Sequence, residues 1–94
     1  MKPDKFISVV KSVFPDAKLL NDHGMIYSKF CMKDFEKIVT TIILNTENEN
    51  ILKMTGNIND PKDLEFSDLL VDEVCIGDMV AELRFMKNHE WKPI

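Results

Sequence analysis

Ile38-Val39-Thr40-Thr41-Ile42-Ile43-Leu44 is the stretch that decides how this chain folds. β-Branched residues run without a break from Ile38 to Ile43, where they would crowd a helix but suit a pleated strand. Ile38, Thr40, Ile42 and Leu44 alternate with Val39, Thr41 and Ile43, and both sets are apolar or Thr. A strand with two such faces is covered on both sides, which places it centrally in a sheet.

Upstream, apolar pieces at Ala17 to Leu20 and Met25 to Met32 flank Asn21-Asp22-His23-Gly24. Gly24 can adopt positive φ, and Asn and Asp favour tight turns, so this segment predicts a hairpin. Farther upstream, Phe6, Val9, Val10 and Val13 recur at helical spacing, widened by Ile7 and Phe14, and predict an amphipathic helix from Asp4 to Phe14. Pro15 closes it, because the residue before a proline is pushed out of the helical region.

Downstream, the polar run Thr46 to Asn50 predicts a turn. Alternation then resumes from Ile51 to Ile58, with Leu52, Met54 and Ile58 expected inward and Lys53, Thr55 and Asn57 outward. Asp60 as a cap and Pro61 at the first helical position predict a helix start. Phe66, Leu69, Leu70 and Val74 can line that helix, while an edge strand over Leu70 to Ile76 is the competing assignment; helix is preferred. Ile76, Met79, Val80, Leu83 and Met86 form a further helical stripe, with Asp78, Glu82 and Lys87 pointing away. The tail from Asn88 to Ile94 reads as irregular.

The expected fold is α+β: an N-terminal helix, a three- to four-stranded antiparallel meander, and one or two C-terminal helices packed on one face. The 94 residues, 45% hydrophobic and 30% charged, suffice for a single domain spanning 1–94, with no repeat or low-complexity tract. No apolar run exceeds three residues and no signal-peptide core develops, so the expectation is a cytoplasmic protein with no membrane partner.

Cys31 and Cys75 are too few and too far apart for a disulfide framework and read as reduced, buried thiols. His23, Cys31, Cys75 and His89 contain no close ligand pair, and no metal site is expected. As a nucleophile Cys75 is a poor candidate beside Asp72, Glu73 and Asp78, and Cys31 fits a core position better. Asn45, Glu47 and Glu49 faintly echo a calcium loop, but its sixth-position glycine and terminal glutamate are missing. Gly24, Gly56 and Gly77 form no phosphate-binding pattern, so no cofactor is expected. Paired carboxylates between Asp60 and Glu82 lack a fixed geometry, and the expectation is a protein that is not an enzyme.

Lys29, Lys33 and Lys37 beside Tyr27, Phe30 and Phe35 are the candidates for nucleic-acid contact. The net charge of −4 opposes it, and Phe30 and Phe35 read as core, so direct nucleic-acid binding is not expected. Charge is nonetheless uneven. Asp60 to Leu83 holds eight acids against Lys62 alone, a net charge of −7, whereas the first 45 residues hold seven Lys against five acids, or +2.

An acidic surface of that density attracts a basic patch on another protein and sets its register. Asp63, Glu65 and Asp68, followed by Asp72, Glu73, Asp78 and Glu82, are the residues expected to touch such a partner. The expected function is a non-enzymatic protein-binding module. One form of it is a small inhibitor that docks on the basic groove of a nucleic-acid enzyme. The alternative is a self-associating subunit, a homodimer paired through a sheet edge or apolar helix face, with the methionines as adaptable contacts. A solvated face that aids solubility would have the same acidic composition.

Overall fold

The computed structural model describes residues 1–57 and 70–94. Helix α1 (Pro3–Val13) leads into strands β1 (Leu20–Asp22), β2 (Met25–Cys31), β3 (Ile38–Asn45), β4 (Ile51–Asn57) and β5 (Leu70–Val74). Helix α2 (Ile76–Asn88) and the short strand β6 (Lys92–Pro93) follow. The strands form an antiparallel meander in the order β1-β2-β3-β4-β5, and β6 pairs with β2. The expected α+β order therefore holds, with β5 and β6 added to the sheet.

β3 lies at the middle of the meander, with Val39 to Leu44 all buried, as its two-sided apolar sequence requires. Its even-numbered positions share a face with Ile26, Phe30 and Ile51. Against that face pack Phe6, Val10 and Phe14 from the α1 segment and Met79, Leu83 and Met86 from α2, which together form the main core. On the opposite face Val39, Thr41, Ile43 and Met54 are also buried.

The β1–β2 hairpin turns on His23 and Gly24, with φ of 50° and 75°, between the paired residues Asp22 and Met25. Two successive positive φ values make a type I′ turn, whose twist matches that of the flanking strands. Thr46 anchors it by donating both its amide (2.9 Å) and its hydroxyl (2.6 Å) to the Gly24 carbonyl. Helix α1 starts at Pro3, where a missing amide proton costs nothing, and stops before Pro15. The Phe14 ring lies 4.7 Å from Phe30, and Lys87 sits 5.1 Å above it.

Several expectations need correction. Leu70–Val74 is the strand β5, not helix: it pairs along β4 from Ile51↔Val74 to Thr55↔Leu70. The helix expected from Asp60 lies outside the described residues. In β4 the alternation is not one apolar face and one wet face. Ile51 and Met54 are both buried although they point to opposite sides, and Lys53 sits on the helix-bearing side opposite Ile42. Ile76, expected within the buried stripe of α2, is 43% exposed because it occupies the first turn, beyond the sheet's cover.

The tail is not irregular throughout. After α2, Glu90 adopts φ of 61°, and the amides of Glu90 and Trp91 donate to the carbonyls of Lys87 (3.4 Å) and Met86 (2.9 Å). This is the Schellman arrangement that satisfies orphan helix carbonyls. It turns the chain back so that Lys92 and Pro93 pair with Cys31 and Phe30.

Candidate functional site

The acidic residues of the expected partner surface fall into three groups. Asp63, Glu65 and Asp68 lie outside the described residues. Asp72 and Glu73 are in β5, at register positions opposite Lys53 and Leu52 of β4. Asp78 and Glu82 are on α2, one turn apart, so a single helix face carries both.

Local sequence explains how α2 presents them. Cys75 precedes the helix in extended conformation, and its Sγ accepts the Asp78 amide at 3.5 Å, a weak cap on the first turn. Asp78 stands in that turn, where exposed helix amides favour negative charge. Met79, Leu83 and Met86 point into the core and fix the rotation of the helix. The adjoining flank, with Asp78, Ala81, Glu82 and Phe85 at i, i+3, i+4 and i+7, is thereby set along the edge of the helix–sheet junction.

There a groove of about 470 Å³ opens, floored by Ile42 and Met79 and walled by Lys53, Asp78, Ala81, Glu82 and Phe85. The Glu82 carboxylate lies 3.3 Å from Lys53 Nζ, with the two side chains 25% and 28% exposed. Asp78 is exposed and has no ion pair among the described residues. Phe85 is 51% exposed. Its ring stacks on the His89 imidazole at 4.1 Å, and His89 Nδ1 lies 2.8 Å from the Phe85 carbonyl oxygen.

Asp78 and Glu82 are thus brought together beside an aromatic ring, and Glu82 is partly neutralised by a sheet lysine. Sequence reasoning missed Phe85 and Lys53. The signal for Phe85 was available, since it is a large aromatic that falls off the 3-4 stripe of α2. Lys53 gave no such signal, because its side of the sheet depended on the misread alternation of β4.

The other candidates sort as follows. Cys31 is buried and free, as expected, and burial pushes its thiol pKa up, with Lys92 opposing and Glu36 adding to the shift. Cys75 is free but exposed, contrary to the expectation of a buried thiol, because capping a helix keeps it at the surface. Phe30 is core, whereas Phe35 is 64% exposed in the β2–β3 connection. Near that connection two lysines are paired: Lys33 lies 3.7 Å from Glu90, and Lys92 lies 2.6 Å from Glu36.

Among the described residues no three His, Cys, Asp or Glu side chains converge as a metal site would require. No described helix is long and apolar enough to cross a membrane. Comparison of the chain with protein-family models, curated proteins and solved structures finds no match.

Proposed function

We propose that this protein is a non-enzymatic binding module that docks its acidic C-terminal side on a basic surface of another protein. The supporting observation is the charge excess from Asp60 to Leu83, a net −7 in a chain of −4, together with an exposed Asp78 and a half-exposed Phe85 on one flank of α2. Carboxylates steer and orient a cationic partner, and an adjacent aromatic supplies the desolvated contact area that charge alone lacks. The same field repels nucleic acid and anionic lipid. A partner whose own ligand is nucleic acid carries a suitable basic groove, so inhibition by occupying such a groove is one form of this function.

The test is binding of a short arginine-rich peptide, followed by fluorescence anisotropy at low ionic strength. Replacing Asp68, Asp72 and Glu73 by Lys is expected to weaken binding at least tenfold. Added salt is expected to weaken the wild-type complex progressively, because screening acts over about 10 Å at 0.1 M. Unchanged affinity in the charge-swapped protein would remove the proposal.

A further inference from the structure

We infer that the groove between α2 and β4 is the seat of one arginine side chain of that protein partner. This rests on the acidic docking reading and specifies what the surface grips. The groove brings two carboxylates, Asp78 and Glu82, to one flank of α2 against a single ammonium, Lys53, so its walls retain an excess negative charge that an incoming cation neutralises. Glu82 already holds a cation there. Both members of that pair are about a quarter exposed, so a partner's guanidinium can share Glu82 with Lys53 or displace it.

Arginine fits this constellation better than lysine for two reasons. Its planar fork offers paired N–H groups that can serve two carboxylates one helical turn apart, whereas an ammonium is a point charge. Its flat face also stacks on aromatic rings, and Phe85 stands half exposed on the same wall, with its orientation held by the His89 stack at 4.1 Å. The methylene stem can lie along the exposed Ala81 and Phe85 of the same wall.

The experiment is an amide-resolved NMR titration of the whole labelled protein with a short arginine-rich peptide, its lysine counterpart and its neutral citrulline counterpart. Chemical-shift changes are expected at Lys53, Asp78, Ala81, Glu82 and Phe85. The lysine peptide should bind more weakly and the citrulline peptide not at all. Phe85→Ala and Asp78→Asn should each weaken the arginine peptide about tenfold, or ~1.4 kcal/mol. An amide spectrum of Phe85→Ala that matches the wild type away from the groove serves as the control for folding. Affinity insensitive to Phe85→Ala but lost when Asp68, Asp72 and Glu73 become Lys would overturn the groove assignment and leave acidic docking standing. No binding of any basic peptide at low ionic strength would overturn both.

Discussion

Thr40 and Thr41 are neighbours in β3, both buried, yet their hydroxyls have different circumstances. Thr40 Oγ1 lies 3.1 Å from Thr55 Oγ1 across the β3–β4 pair, whereas Thr41 Oγ1 has no hydrogen-bond partner among the described residues. A buried hydroxyl without a partner carries its desolvation cost uncompensated. Thr40→Val is therefore expected to destabilise the fold by ~1 kcal/mol, while Thr41→Val should be neutral or stabilising; urea unfolding of the two variants checks the contrast. The thiols differ in the same way. Exposed Cys75 should react with a thiol reagent in the native protein, and buried Cys31 only on unfolding, as read by mass spectrometry of labelled peptides. Because burial raises the Cys31 pKa, the native state holds that proton more tightly than the unfolded chain. The resulting stability is full below the unfolded thiol's pKa and is lost as pH rises through the native one; an alkaline stability profile unchanged by Cys31→Ala would contradict this.

The C-terminal stop of α2 places Glu90 at φ of 61°, a position where glycine meets no Cβ penalty. Its ion pair with Lys33, at 3.7 Å and largely exposed, contributes little in return. Glu90→Gly is expected to stabilise the protein by ~0.5–1 kcal/mol, seen as a rise of a few degrees in Tm. A fall in Tm would show that side-chain contacts outweigh backbone strain there. Legibility in the sequence followed the same local logic. β3 was readable because six unbroken β-branched residues exclude a helix, and α1 because its stripe ends at a proline. β5 was not: Leu70 and Val74 lie four apart and fit one helix face as well as one side of a strand, and only pairing with β4 decides between them. Two carboxylates of the groove, Asp78 and Glu82, could be singled out from charge alone. Phe85 could have been found as an aromatic off the α2 stripe, whereas Lys53 could not, since its side of the sheet is set by the pairing of β4 with β3.

Across the whole protein, β5 stands at the end of the sheet order, no other described strand pairs with its outer side, and an edge of that kind invites pairing with a second copy. Its sequence opposes that. An antiparallel pairing centred on Asp72 would set this residue against its own copy, and like charges directly opposite one another destabilise a sheet. Sedimentation is accordingly expected to give a monomer mass at all concentrations; a dimer would favour the self-associating alternative. The other margin of the sheet is closed differently. β2 is flanked by β1 along Met25 to Tyr27 and by β6 at Phe30 and Cys31. A segment made early in synthesis thus waits for one made well after it. On the ribosome the hairpin can form at once, but the part of β2 that β6 covers stays unprotected until Lys92 and Pro93 have cleared the exit tunnel, so that border is sealed only after α2 has been made and can swing β6 into place.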